Sequence, residues 1–302
     1  LTANVFDQVA MLTLMMLVGG FLRKTGIITD TVNRGLASIL INITLPFMIV
    51  FSFNFEFSAE VFERGAQIFG YSMAIHAALL GLGTVLYWRF DGPRKNVLKF
   101  ATVFSNCGFM GYPVIQGLFG SIGVFYTSIY TIPFNLFIFS FGVMMFTGQR
   151  DLKSIRRSLL ANPPLISTLV GIAVFVLSIP IPAAIHNTLG MVGNMTTPIS
   201  MFIIGAMLAD VKLGDVFKGI DVYYVSALKL IVLPALAYLV LSLWGVDRTV
   251  LYICVILVAM PTASLIGVFA EKYDGDRLLA SRCAFLTTVL SMITIPGVIS
   301  NL

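Results

Sequence analysis

Ten apolar stretches, each near the roughly 20 residues needed to cross the hydrocarbon of a bilayer, take up almost all of this 302-residue chain. They cover residues 5–22, 32–53, 65–88, 96–118, 122–146, 163–179, 185–209, 222–244, 249–270 and 278–300. With 58% hydrophobic and 11% charged residues and a mean hydropathy of +0.95, the chain is far outside the composition of water-soluble domains. The sequence therefore predicts an all-α integral membrane protein of ten transmembrane helices. Its connections are too short to fold as soluble domains, so any binding has to occur inside the bundle or at its mouths. The first stretch reads as a spanning helix and not a cleaved leader, because Arg23 and Lys24 follow it and no small-residue cleavage pattern is present.

The net charge of +5 is less informative than its placement. The loops after the odd-numbered segments and the adjoining helix ends hold 16 of the 19 Lys and Arg, among them Arg23, Lys24, Arg94, Lys95, Arg150, Lys153, Arg156 and Arg157. The even-numbered side has only Arg64 and Arg248. This bias predicts cytoplasmic odd loops and both termini outside an inner (plasma) membrane. Orientation alone accounts for these loops, and no nucleic-acid partner is expected. Cys107, Cys254 and Cys283 fall in apolar segments at unrelated spacings, which suits neither a disulfide framework nor a metal site. There is no His-Glu-x-x-His, no Walker loop, no paired intramembrane aspartate and no nucleophile beside a base, so neither an enzyme nor a cofactor is expected. A channel would call for a selectivity ring or a continuous polar lining, and neither is evident.

Two of the ten segments are interrupted. The fourth contains Ser105-Asn106-Cys107-Gly108-Phe109-Met110-Gly111-Tyr112-Pro113 and the ninth Ala259-Met260-Pro261-Thr262-Ala263-Ser264. A helix that stops bonding to itself in hydrocarbon is tolerated only where the break lines a cavity. At about 1.5 Å rise per residue both breaks fall in the middle third of the bilayer. The interruptions also recur: Pro113 is followed by Pro261 after 148 residues, and Asn42-Ile43-Thr44-Leu45-Pro46 by Asn194-Met195-Thr196-Thr197-Pro198 after 152. The chain reads as a duplication, residues 1–150 and 151–302, of five helices each. Five is odd, so the second copy enters the membrane in the opposite sense. Paired breaks in an inverted repeat are the sequence mark of a transporter binding site, with the fourth and ninth segments crossing and each leaving a half-helix N-terminus able to receive a carboxylate.

Asn106 is the sharpest candidate contact, because a mid-membrane carboxamide offers two donors to an anion without the cost of a buried charge. It would equally cap the broken helix. Gly108 and Gly111 would allow close backbone approach, to a ligand or to another helix. Pro113 and Pro261 set the breaks, and Thr262 and Ser264 sit where the second half-helix begins. Asn42, Thr44, Asn194 and Thr196 precede prolines, where they would either satisfy a kink or line the substrate path. Well inside the segments lie two ionisable side chains, His76 and Lys229, at nearly the same place in the two copies. They are the candidates for proton coupling or charge balance, although Lys229, about 10 Å from the cytoplasmic end, is within snorkelling reach of water.

These residues resemble the auxin efflux carrier family, which includes PIN-type plant carriers and bacterial members associated with malate or malonate. Asn106-Cys107-Gly108-Phe109-Met110-Gly111-Tyr112-Pro113 matches that family's crossover pattern, and Ala259-Met260-Pro261, Phe269-Ala270-Glu271-Lys272-Tyr273 and Ile295-Pro296 are similar to its C-terminal part. The resemblance implies a bile-acid/sodium symporter-like fold with crossed fourth and ninth helices. It also implies elevator motion of helices 3–5 and 8–10 against a scaffold of helices 1, 2, 6 and 7, a homodimer through that scaffold, and Asn106 as the carboxylate contact. The long central loop of plant carriers is missing, since about a dozen residues separate the fifth and sixth segments. The expected function is secondary transport of a small organic anion, an auxin-like aromatic carboxylate or a malate- or malonate-type dicarboxylate. The alternatives are a sodium-coupled symporter of bile-acid type and a membrane sensor that binds without turnover.

Overall fold

In hydrocarbon a backbone has to satisfy its own N–H and C=O groups, and this chain does so almost wholly as helix. The computed structural model describes residues 2–148, 152–211, 214 and 218–302, and among them the one β-type pairing is an isolated bridge between Ser105 and Thr262. Arg150, one of the basic loop residues, lies outside the described residues. Six of the described helices are long and apolar enough to cross a membrane, or seven if Leu152–Leu160 and Pro163–Val176, bent by 60°, form one span. By length and composition the described helices thus give six or seven candidate spans, where the sequence predicts ten segments.

The difference has local causes. The fourth segment is divided into Gly92–Val103, an extended stretch, a π-helical turn at Cys107–Gly111 and the start of Tyr112–Phe137, and the ninth into Arg248–Ala259 and Leu265–Lys272. Gly120 turns the chain inside Tyr112–Phe137 at φ 61°, a value that favours glycine, where the sequence separates the fourth and fifth segments. Two further π-helical turns, Leu40–Thr44 and Leu228–Val232, lead into Leu45–Ser52 and Leu233–Leu243, whose first turns carry Pro46 and Pro234. In each, the residue ahead of the proline donates five residues back, Leu45 to Leu40 and Leu233 to Leu228, so the ladder widens by one residue where proline lacks a donor.

By packing, the chain forms two units, each taking pieces from both halves of the sequence. The first comprises Leu1–Ile68, Gly108–Ile132 and Ser158–Asp210, and the second Phe69–Cys107, Pro133–Arg157 and Val211–Leu302. In the first unit Thr2–Lys24 packs along Thr196–Ala209. Backbones touch there because Gly19 and Gly205 have no side chain: a Cβ on Gly205 would lie 1.9 Å from the Met16 carbonyl oxygen, and one on Gly19 2.5 Å from that of Phe202. Leu45–Ser52 packs against both Pro163–Val176 and Ala183–Gly193, and Phe53, Phe125 and Phe175 form an aromatic cluster in the same unit. In the second unit Arg277–Ser300 packs on Gly92–Val103, Arg248–Ala259 and Ile220–Ala227. Arg248–Ala259 is buried along nearly its whole length, as expected of a helix apolar on all faces.

Candidate functional site

The two breaks meet inside the second unit. Gly92–Val103 ends on the extended residue Phe104, and Arg248–Ala259 on the extended residue Met260. The two extended stretches then run antiparallel: the Asn106 N–H donates to the Pro261 carbonyl at 2.7 Å and the Ala263 N–H to the Phe104 carbonyl at 2.9 Å. Each break therefore supplies the backbone partners that the other lacks, which answers how the chain tolerates broken helices at this depth. Side chains repeat the exchange. The Ser105 hydroxyl donates to the Val258 carbonyl at 3.2 Å, and the Thr262 hydroxyl to the Ala101 carbonyl at 3.0 Å, so each break caps the C-terminal end of the opposite half-helix. The Thr262 N–H is taken up by the Thr287 hydroxyl at 3.2 Å.

Asn106 and Ser264 are brought together by this pairing, the carboxamide Nδ2 donating to the Ser264 Oγ at 3.0 Å. Asn106 and Thr262 are buried, whereas Ser264, which precedes Leu265–Lys272, is half-buried. Of the first-turn N–H groups of that helix, that of Ile266 donates back to the Ala263 carbonyl at 3.0 Å, so what the pairing brings to one place is the Asn106 carboxamide and the Ser264 hydroxyl.

Lys229 does not snorkel. Its side chain is fully buried, with Nζ 2.7 Å from the Ser105 Oγ and 3.2 Å from the Thr102 carbonyl. None of the ion pairs among the described residues includes it. His76 is buried as well, in Ala59–Leu86, with Nδ1 2.7 Å from the Ser72 carbonyl and its ring against Phe134 and Phe137.

The remaining candidates lie in the first unit. Gly108 has open space where a Cβ would stand, so close helix packing does not account for it. Gly111 closes the π-helical turn Cys107–Gly111, and Pro113 is buried in the first turn of Tyr112–Phe137. The Asn42 carboxamide donates to the Ser38 carbonyl at 2.8 Å. Thr44 and Thr196, 152 residues apart, are both buried with hydroxyls that have no hydrogen-bond partner among the described residues, so neither satisfies a proline kink. Asn194 meets a residue the sequence reading passed over: Gln116 donates to its Oδ1 at 3.5 Å and accepts from the Thr197 hydroxyl at 2.9 Å. Its position three residues after Pro113, in an otherwise apolar run, was the available signal. Ser200, also passed over, donates to the Phe109 carbonyl. Ser105, quoted in the break but not singled out, joins Lys229 to the crossing.

Two helices broken and tied together by their breaks, with a buried carboxamide and a hydroxyl brought into contact, are the arrangement that the sequence associates with a membrane transporter. Residues 4–299 match the family described as membrane transport protein. The chain belongs to this family, that of the auxin efflux carriers, as its crossover residues indicate. Among similar proteins, an uncharacterized transporter of Methanothermobacter thermautotrophicus is 27% identical over 300 residues, covering 96% of each chain. An uncharacterized transporter of Methanocaldococcus jannaschii is 26% identical over 306 residues, again covering 96% of both. A protein of Rhizobium meliloti that carries the provisional name of malonate transporter is 26% identical over 239 residues, 76% of this chain and 74% of its own. The chain is a multi-pass membrane transporter.

Proposed function

We propose that this transporter is a secondary carrier of small organic anions, and that it holds the substrate carboxylate at the crossing of the two breaks. The observation that carries this reading is the contact of Asn106 with Ser264 at 3.0 Å, which joins a carboxamide from one break to a hydroxyl from the other in one part-buried, uncharged receptor. Neutral donors suit a carrier: they recognise a carboxylate yet release it more readily than a salt bridge would. The malonate name of the Rhizobium meliloti relative favours a dicarboxylate of that size over an aromatic acid.

Alternating access by an elevator-like movement belongs to the same proposal. In its support, the second unit contains the two hydrogen-bonded extended stretches, Phe104–Asn106 and Pro261–Ala263, and Lys229, while the first contains Thr2–Lys24, Leu45–Ser52, Pro163–Val176 and Thr196–Ala209. That division differs from the expected one in assigning residues 108–132 to the first unit. A homodimer through helices of the first unit, odd-numbered loops in the cytoplasm and both termini outside a plasma membrane complete the reading.

The test is uptake of labelled malonate, malate and indole acetate by purified protein in liposomes, with and without a pH gradient. Saturable uptake of malonate or malate is expected. In Asn106→Ala the apparent affinity should fall at least tenfold, the equivalent of about 1.5 to 3 kcal/mol for a hydrogen bond to a charged group. An unchanged affinity removes Asn106 from the site, and absence of uptake of every anion, with binding intact, favours a sensor.

A further inference from the structure

The crossing poses an electrostatic question that the anion site does not answer. Gly92–Val103 and Arg248–Ala259 both end at the crossing, with their C-terminal carbonyls in the buried interior of the second unit. Each helix C-terminus carries the equivalent of about half a negative charge, so the two together approach one full negative charge in a region of low dielectric. Where half-helix C-termini meet inside carriers, coordination of a sodium ion or a proton is the usual remedy.

Here one side chain meets that demand. The Lys229 ammonium donates directly to the Thr102 carbonyl, at the end of the first half-helix, and to the Ser105 hydroxyl. That hydroxyl in turn donates to the Val258 carbonyl, at the end of the second. A single positive charge thus serves both negative ends, one directly and the other through Ser105. The oxygens around it, a main-chain carbonyl and a hydroxyl, are the kind that bind a hard monovalent cation. No carboxylate pairs with Lys229 among the described residues, so the two helix ends are the counter-charge that the ammonium has. His76, the other buried basic side chain among the described residues of this unit, has its own carbonyl partner at Ser72.

We propose that Lys229 is a tethered cation that takes the place of a coupling sodium ion at the crossing, so that the carrier moves its anion without sodium, and that truncating this side chain opens a sodium site. Lys229 is then a positioning residue: it acts by holding Thr102, Ser105 and the half-helix ends in place beside Asn106. The proposal rests on the carrier reading above, but its test needs no transported substrate.

The experiment is thermal unfolding of purified wild type, Lys229→Ala and Lys229→Met in sodium, lithium, potassium and choline chloride at equal ionic strength. Wild type should melt at one temperature in all four salts. Lys229→Ala should melt several degrees lower in choline and recover in sodium, with a saturable dependence on its concentration. Lys229→Met, which keeps an unbranched side chain in the space, should melt lower and not recover. A merely structural lysine would lower stability equally in every salt. Sodium-specific stabilisation of wild type, or an Ala variant that sodium does not rescue, overturns the proposal. So does an Ala variant that cannot be purified in either sodium or choline. Addition of malonate to wild type in the same assay reports separately on the anion site. A malonate shift with no sodium effect in Lys229→Ala leaves the carrier reading standing and removes this one; the converse result removes the carrier reading alone.

Discussion

Thr44 and Thr196 separate structural from functional roles at the scale of one residue. Both are buried and neither hydroxyl has a partner among the described residues, although the two stand 152 residues apart in matching Asn-x-Thr-x-Pro patterns. A buried hydroxyl left unpaired costs about 1 to 3 kcal/mol relative to an apolar group of its shape. Thr44→Val and Thr196→Val should therefore each raise stability by about 1 kcal/mol, read as an increase in melting temperature. A decrease would mean that the hydroxyls already have partners in the working protein. Gly108 invites the complementary test. Open space surrounds the position of its Cβ, so Gly108→Ala should leave the melting temperature unchanged; a loss of uptake without loss of stability would then place the substrate against this backbone. Residue identities such as these were legible from the sequence because proline, asparagine and glycine stand out in an apolar run. The direction of the Lys229 side chain was not, since a four-carbon stem reaches either the cytoplasmic surface or the interior and only the packing around Ser105 and Thr102 decides between them.

At the scale of elements, the sequence indicated where two helices break but not how the breaks pair. An inverted repeat implies that the two segments cross. The register that sets Ser105 opposite Thr262 depends instead on where each half-helix ends, and helix ends are the least legible feature of a uniformly apolar segment. The reciprocal hydroxyl bonds make this register testable. Ser105→Ala and Thr262→Val each remove one cap; Thr262→Val should cost about 1 kcal/mol and Ser105→Ala more, about 2 kcal/mol, because the Lys229 ammonium also loses a partner. Because both belong to one crossing, the double variant should depart from additivity by at least 0.5 kcal/mol, as measured in denaturant or thermal unfolding; strict additivity would argue that the two caps are independent. The close helix contact at Gly205 went unread for a different reason: small residues are frequent in membrane helices, and only the backbone approach shows which one is essential. Gly205→Ala, with a Cβ 1.9 Å from the Met16 carbonyl oxygen, should destabilise the protein by about 2 kcal/mol. Gly20→Ala, whose nearest neighbour would be 3.3 Å away, should cost much less.

For the whole molecule, the distribution of charge carries the argument, because orientation is decided by Lys and Arg in short loops and not by packing. The structure makes this simple to measure. Cys107, Cys254 and Cys283 are all buried, so a membrane-impermeant thiol reagent should leave the wild-type protein unlabelled in intact cells. Glu56 and Asp91 are exposed and stand at opposite ends of the third segment. Replacing either with cysteine leaves every Lys and Arg in place, so neither substitution disturbs the charges that set the topology. Glu56→Cys should be labelled from outside the cell, and Asp91→Cys only after the membrane is permeabilised. The reverse pattern would turn the protein over in the membrane. It would leave the pairing of the breaks intact, because the hydrogen bonds of Asn106 to Pro261 and of Ala263 to Phe104 do not depend on orientation, and under the proposed carrier reading it would change only the side from which substrate first reaches Asn106.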